Sequence, residues 1–178
     1  MRRAVFLDRD GVLNRAVVRA GKPYPPADLR ELELLPGVAE ALLRLRAEGF
    51  LLISVTNQPD VARGATPRWT VEAINAQLMR ELALDEISVC YHDDADRCHC
   101  RKPEPGLLTD AAGRYNIALV RSFMVGDRWK DIEAGHRAGC STVRIDAGYA
   151  EVERGRPPHF RCTSLAEAAD WILKQPSP

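Results

Sequence analysis

Hydrophobic positions along the 178-residue chain follow two alternating spacings. Short apolar runs, typical of buried strands, are separated by segments whose apolar positions recur every three or four residues, as in helices with one buried face. The pattern predicts five strands, at 5–7, 50–55, 87–89, 122–125 and 142–145. Helices are predicted from Val38 to a terminating Gly49, at about 70–82 and 105–115, at 129–138, and after a capping box that begins at Ser164.

Strands that alternate with helices favour a doubly wound, Rossmann-like α/β fold, which is a mostly parallel sheet with helices on both faces. Irregular stretches are predicted at 15–30, 58–67, 91–102 and 147–161. Because ligands of open parallel sheets bind beyond the carboxyl ends of the strands, we expect these loops to surround a functional site. No linker or repeat interrupts the series, so we predict a single domain over residues 1–178.

Composition and charge narrow the classes of partner. The 25 Lys and Arg residues balance 25 Asp and Glu residues, which gives no overall positive field for nucleic acid or an anionic membrane. No stretch reaches the roughly 20 apolar residues of a membrane span, and the first apolar run is shorter than the about seven of a signal-peptide core. The odd count of 5 cysteines argues against full disulfide pairing. We therefore expect a cytoplasmic monomer that acts on a small molecule, with no nucleic-acid or membrane partner.

Four short motifs carry candidate chemistry, and each also has a simpler explanation. The first predicted strand runs into Asp8-Arg9-Asp10-Gly11, two carboxylates and a turn glycine, which alone is a common polar turn. The second strand ends in a hydroxyl and two amides at 56–58, where side chains also cap strand exits. Two cations at 101–102 precede a helix and would alone be a surface pair. Asp127 and Asp131 flank the next strand–helix junction, where acids are common at helix starts.

Together, and in this order, the motifs resemble those of the haloacid dehalogenase superfamily of phosphatases: DxDGT/V, a strand-end Thr or Ser, a Lys, and GDxxxD. The resemblance covers essentially the whole chain. It implies that Asp8 is the nucleophile, forming an aspartyl-phosphate, and that Asp10 is the general acid and base. It also implies that the side chains of Thr56 and Lys102 hold the phosphoryl oxygens.

The same resemblance implies a catalytic Mg²⁺. Its protein ligands would be Asp8, the backbone carbonyl of Asp10 and the side chain of Asp127, which are oxygen ligands of the kind this hard cation prefers. Asp131 would act from outside this set by orienting Lys102 or a metal-bound water.

A cysteine cluster precedes the two cations. Cys90, His92, Cys98 and Cys100 form the pattern Cys-x-His-x₅-Cys-x-Cys, and three thiolates with one imidazole fit tetrahedral Zn²⁺ with no open position. The alternative is that reduced thiols merely cluster. We predict a structural zinc that fixes the loop so that Arg101 and Lys102 face the phosphate; His99 is a spare donor that we leave outside the ligand set.

This zinc motif resembles two families within the superfamily, the D-glycero-D-manno-heptose 1,7-bisphosphate phosphatases and the histidinol-phosphate phosphatases. Neither carries a cap domain, which agrees with the short segments available here. The x₅ spacing is the one associated with the histidinol-phosphate enzymes, whereas residues 56–64, TNQPDVARG, resemble the TNQSGIARG of the heptose enzymes, with Asp60 in place of the usual Gly. We favour removal of the 7-phosphate of the heptose bisphosphate. Candidate substrate-binding residues are Asn57, Gln58, Arg63, Arg101 and Arg128.

Three other classes of protein remain as alternatives. A phosphoacceptor signalling domain also places an Asp, Mg²⁺, a Thr and a Lys at strand ends, but a general acid at Asp10 would speed the breakdown of the phosphate that such a domain must keep. A zinc-stabilised binding module without catalysis is disfavoured because every expected catalytic group is present. A polynucleotide phosphatase is disfavoured by the neutral charge and by the lack of a groove with basic and aromatic residues.

Overall fold

The structure is a computed structural model that describes residues 1–149, 152 and 154–175. Its strands are β1 (Arg3–Leu7), β2 (Val17–Arg19), β3 (Lys22–Tyr24), β4 (Phe50–Asn57), β5 (Glu86–Cys90), β6 (Phe123–Gly126), β7 (Ser141–Ile145) and β8 (Phe160–Cys162). Its α-helices are α1 (Val38–Ala47), α2 (Arg68–Glu81), α3 (Gly106–Tyr115), α4 (Trp129–Ala138) and α5 (Leu165–Leu173), with short 3₁₀ helices at Asp94–Asp96 and Leu119–Arg121.

The main sheet has six strands, all parallel, in the order β5-β4-β1-β6-β7-β8. Because successive side chains of a strand point to opposite faces, each face of β1 packs on different helices. Val5 and Leu7 belong to a core cluster with α1, α2 and α5, whereas Ala4 and Phe6 belong to a second cluster with α3 and α4. The predicted doubly wound α/β fold is confirmed.

Two predicted irregular stretches contain strands. Within 15–30, β2 and β3 form an antiparallel hairpin, and β8 begins at the end of 147–161 and pairs with β7 at the sheet edge. The sequence pattern missed these three strands because each has only three residues, and only one of their nine residues, Cys162, is buried. Strands this short and exposed carry no apolar alternation.

None of the helices in the described part of the chain combines the length and the apolar character needed to cross a membrane.

Candidate active site

The site lies where three neighbouring strands end. In the sheet β1 lies between β4 and β6, and Leu7 pairs with Ser54 on one side and Val125 on the other. Because the strands are parallel, the next residues of each emerge at one edge, and the backbone N–H of Asp8 donates to the carbonyl of Val125 at 2.9 Å. A cavity of about 80 Å³ at this edge is lined by Asp8, Asp10, Thr56, Asn57, Lys102, Asp127, Arg128 and Asp131.

Lys102 reaches the bottom of this cavity and is 2% exposed. Its Nζ lies 2.8 Å from Asp8 Oδ1 and 2.6 Å from Asp131 Oδ1, and it donates to the carbonyl of Val55 at 2.7 Å. Burial lowers the pKa of Lys102, but the charges of Asp131 and Asp8 outweigh it, so that the pKa is raised overall. The lysine therefore remains a cation beside the predicted nucleophile.

The backbone of Lys102 is held by Asn57 at the end of β4. The side-chain amide of Asn57 donates to the Lys102 carbonyl at 3.0 Å, and its oxygen accepts from the Lys102 N–H at 3.1 Å. The Asn57 side chain thus satisfies both polar groups of one buried peptide segment. This predicted substrate-binding residue has an internal partner, although it also lines the cavity.

Three buried carboxylates, those of Asp8, Asp127 and Asp131, place oxygen atoms within 4.8 Å of one another. Burial raises the pKa of Asp8 to about 6; Lys102 opposes this shift, and the charges of Asp131 and Asp10 add to it. Burial, then the charges of Asp8 and Asp131, raise the pKa of Asp127 well above its usual value. Neither carboxylate oxygen of Asp127 has a partner of good hydrogen-bond geometry among the described residues.

This donor set fits a divalent cation. One lysine does not balance three carboxylates, and the oxygens of Asp127, which lack a hydrogen bond of good geometry among the described residues, are ligands of the type that Mg²⁺ takes. The Asp131 carboxylate is already engaged, because it pairs with Lys102 and its Oδ2 accepts from the Arg128 N–H at 3.0 Å. Asp8 and Asp127 are therefore the side chains best placed to hold the ion.

Two glycines of the motifs are required by close approach. Gly11 has a φ of +92°, and a Cβ on it would lie 2.1 Å from Asp127 Oδ2. A Cβ on Gly126 would lie 2.1 Å from the Cβ of Asp131. Any larger residue at either position would displace one of the acids, which gives the glycines of Asp-x-Asp-Gly and Gly-Asp a steric reason.

Asp10 is surrounded by donors. Its carboxylate accepts from the guanidinium of Arg9, from the amide of Asn14 at 3.0 Å and from the amide of Gln58 at 2.8 Å. Gln58 is 2% exposed and also donates to Thr56 Oγ1 at 2.9 Å. The structure therefore places Gln58, predicted as a substrate contact, beneath the site, where it contacts the predicted acid and base instead of the cavity.

A wider groove of about 660 Å³ adjoins the small cavity. Its lining includes the predicted substrate residues Arg63, Arg101 and Arg128. The NH2 atom of Arg63 lies 2.6 Å from Asp93, and Nε of Arg101 lies 2.7 Å from Asp94. The loop that carries the cysteine cluster thus orients both arginines.

The sequence pattern placed the irregular stretches 15–30 and 147–161 around the site, but it did not identify which of their residues line this groove. The β2–β3 hairpin contributes the wall at Pro23 and Tyr24, and Tyr149 lines the groove from the segment after β7. Burial, then the charge of Asp127, raise the pKa of Tyr149, whose hydroxyl lies close to Gly11. The sequence feature that could have identified Tyr149 is its position soon after the end of a predicted strand. An aromatic side chain alone does not indicate whether it lines a site or packs in the core.

The cysteine cluster is assembled at the end of β5. The sulfur atoms of Cys90, Cys98 and Cys100 lie 3.2 to 3.7 Å apart, and Nδ1 of His92 lies 3.7 Å from Cys90 Sγ and 3.4 Å from Cys100 Sγ. With Zn–S bonds of about 2.3 Å, a tetrahedral ion separates its sulfur ligands by roughly 3.8 Å. The cluster fits such an ion, while Nε2 of His99 points elsewhere, lying 3.0 Å from Asp110.

The parallel sheet, the strand-end carboxylates and the buried lysine define the class as a HAD-like phosphatase, a phosphoric monoester hydrolase. A family model described as HAD-hyrolase-like matches residues 99–168. The chain is 34% identical to the D-glycero-beta-D-manno-heptose-1,7-bisphosphate 7-phosphatase of Bordetella bronchiseptica, over 96% of this chain and 98% of that protein. It is 40% identical to the D-glycero-alpha-D-manno-heptose-1,7-bisphosphate 7-phosphatase of Mycobacterium tuberculosis, over 79% of this chain and 78% of that protein. The chain belongs to the D-glycero-D-manno-heptose-1,7-bisphosphate 7-phosphatase family.

A solved structure agrees with this assignment. The D,D-heptose 1,7-bisphosphate phosphatase of B. bronchiseptica, crystallised with magnesium and phosphate, matches with a TM-score of 0.77 and 30% identity, covering 97% of this chain and 98% of that chain. The predicted superfamily, enzyme class and heptose phosphatase family are confirmed, while the roles of individual residues remain predictions.

Proposed function

We propose that this protein hydrolyses the 7-phosphate of D-glycero-D-manno-heptose 1,7-bisphosphate. The observation that carries the proposal is the small cavity in which the carboxylate of Asp8 lies 2.8 Å from the Nζ of Lys102, in a chain related to these 7-phosphatases along most of its length. A cavity of this size accommodates a phosphoryl group, and the wider groove beside it leaves room for the sugar.

The reaction has two steps. In the first, a carboxylate oxygen of Asp8 attacks phosphorus, the bond to the sugar oxygen breaks, and the leaving oxygen takes a proton from Asp10. In the second, Asp10 takes a proton from water, the resulting hydroxide attacks the phosphorus of the aspartyl-phosphate, and Asp8 leaves as a carboxylate with release of phosphate. Lys102 and the hydroxyl of Thr56 hold the phosphoryl oxygens throughout.

We propose Mg²⁺ and Zn²⁺ as the cofactors. Mg²⁺, held by Asp8, Asp127 and the Asp10 carbonyl, would offset the repulsion between the phosphate and the carboxylates. Zn²⁺, held by the Cys90, His92, Cys98 and Cys100 cluster, would order the loop that carries Lys102 and has no part in the chemistry.

The second phosphate of the substrate would lie in the wider groove. Arg63 and Arg101 line that groove and are oriented by acids of the cysteine loop, so that their guanidinium groups are positioned before the substrate binds. Guanidinium groups bind phosphate in a bidentate manner, which suits a bisphosphate better than a monophosphate. We expect Arg63→Ala and Arg101→Ala to raise KM for a bisphosphate more than for a monophosphate.

The test is phosphate release from a panel, with and without Mg²⁺ and with Asp8→Asn as control. The panel holds both anomers of the heptose 1,7-bisphosphate, histidinol phosphate, fructose 1,6-bisphosphate and a 3′-phosphorylated oligonucleotide, and ³¹P spectra identify the phosphate that is lost. Selective loss of the 7-phosphate from a heptose bisphosphate, abolished by the control, is the expected result. Equal turnover of histidinol phosphate would refute the proposed substrate, and the preferred anomer follows from the same rates.

A further inference from the structure

The largest fully buried side chain of the described residues is a charged one, Arg9, with no exposed surface. It stands between the predicted nucleophile Asp8 and the predicted acid and base Asp10, yet neither reaction step uses it. Removing a guanidinium from water is unfavourable unless its hydrogen bonds are made inside the protein. Its contacts therefore indicate what the buried charge does.

Arg9 grips the Asp10 carboxylate with one edge of its guanidinium. Nε lies 3.2 and 3.3 Å from the two carboxylate oxygens, and NH2 lies 3.1 and 3.0 Å from the same pair. Two parallel donors of a planar group fix both the position and the plane of a carboxylate, which a single ammonium group does not.

The remaining guanidinium nitrogen of Arg9 makes a hydrogen bond to a helix. NH1 donates to Oδ1 of Asn75 at 2.9 Å, and Asn75 lies in the third turn of α2, 66 residues further along the chain. The guanidinium thus links Asp10, on a loop after β1, to an element packed in the core. Among the described residues, Asn14 and Gln58 each donate to a single oxygen of Asp10, whereas Arg9 donates to both.

We propose that Arg9, which is held by its hydrogen bond to Asn75, is a positioning residue that orients the Asp10 carboxylate during both proton transfers. The inference rests on the proposed function, because it assigns Asp10 the proton transfers of that reaction. Arg9 lines neither the small cavity nor the wider groove, so its loss should leave substrate binding intact and slow the chemical steps. Misplacing a catalytic group by about 1 Å lowers rates by roughly 100-fold.

The test uses p-nitrophenyl phosphate, whose leaving group departs without a proton. In Arg9→Met, formation of the aspartyl-phosphate should proceed at nearly the wild-type rate, within about twofold, while its hydrolysis by water slows. Stopped-flow records of Arg9→Met should show a burst of p-nitrophenolate of about one equivalent. The steady-state rate that follows should be about 10- to 100-fold below that of the wild type, with KM little changed. Asp10→Asn should give the same signature, and Arg9→Met should add little to it in the double variant.

Arg9→Lys keeps the charge but loses the two-point contact, so it should rescue only part of the rate. Asn75→Ala should keep the burst and lower the steady-state rate, as Arg9→Met does but by less, whereas Gln77→Ala on the same helix, whose partners are Arg80 and Glu81, should change neither rate. If Arg9→Met fails to fold, Asn75→Ala decides by the same signature.

A fall in burst and steady-state rates together, or full additivity with Asp10→Asn, would overturn the positioning role. The two proposals fail separately. If the wild type turns over p-nitrophenyl phosphate but no heptose bisphosphate, the substrate is wrong while the Arg9 comparison still stands.

Discussion

Lys102→Met should be among the most destabilising substitutions in this protein when divalent cations are absent. The lysine is 2% exposed and lies within 2.8 Å of two buried carboxylates, so that methionine fills its volume but leaves both acids without their cation. Removing one partner of a buried ion pair lowers the free energy of unfolding by about 3–5 kcal/mol. For a chain of this length, that loss corresponds to a fall in melting temperature of roughly 6–20 °C.

The assay is urea unfolding of wild type and variants in EDTA, followed by circular dichroism. Lys130→Met is the matched control, because Lys130 is 25% exposed and lies 3.6 Å from Asp94, a surface pair worth about 1 kcal/mol or less. The double variant Lys102→Met/Asp131→Asn should recover part of the stability, since it removes one of the two stranded charges. Added Mg²⁺ should stabilise Lys102→Met more than the wild type, because it supplies the missing positive charge.

A loss for Lys102→Met no larger than that for Lys130→Met would contradict the electrostatic account of the site. Additive effects would contradict it as well. If the double variant lost as much stability as the two single variants combined, the residues would not be coupled, whereas residues in one network must show coupling. Activity should remain low in the double variant whatever its stability, since it loses the donor proposed for the phosphoryl oxygens, and one such positioned donor is worth about 100- to 1,000-fold in rate.

Three further predictions follow from other parts of the molecule. Gly11→Ala should abolish measurable turnover and destabilise by more than Gly64→Ala, since both glycines have positive φ but only the Gly11 Cβ would strike a side chain; equal effects would attribute the loss to backbone strain alone. Cys98→Ser should lose bound zinc, measured by atomic absorption, and expose the loop at 91–102 to proteolysis; retention of one metal per chain would exclude Cys98 as a ligand. Burial, then the charge of His136, lower the pKa of His159, so the unfolded state binds more protons, and stability present above about pH 6.5 should decline as the pH falls through the lowered pKa. His159→Gln should flatten that decline, and an unchanged slope would exclude His159 as its source.

The acids of the site were predictable because parallel strands leave little freedom at their ends. Asp8 and Asp127 follow strands that are neighbours in the sheet, and register alone brings them to one edge. The alternation of side chains along β4 also predicts which of residues 56–58 share a face, although all three are polar. Thr56 and Gln58 share a face and bond to each other, whereas Asn57 points to the other side and grips Lys102. Reading the three as one polar run gave Gln58 a place in the cavity that the structure does not give it.

The groove was less predictable because its walls depend on contacts between distant loops. Arg63 is oriented by Asp93, thirty residues further along the chain, and neither residue belongs to a regular element whose period could indicate the pairing. The hairpin and Tyr149 reach the groove from two other segments. A single sequence carries no signal for such pairings, since an exposed arginine next to an acid is compatible with many loop conformations.

The cysteine loop, residues 91–102, carries residues proposed for catalysis and residues that orient the proposed substrate-binding arginines. It leaves β5 at the sheet edge and must cross the end of β4 to place Lys102 beside Asp8, which follows β1. Ordering such an irregular segment loses about 1–2 kcal/mol of backbone entropy per residue. The metal proposed at Cys90 and Cys100 would offset that loss within two residues of Lys102, and the Asn57 amide completes the attachment. Since Asp93 and Asp94 of the same loop orient Arg63 and Arg101, loss of the metal should weaken phosphoryl stabilisation and recognition of the second phosphate together.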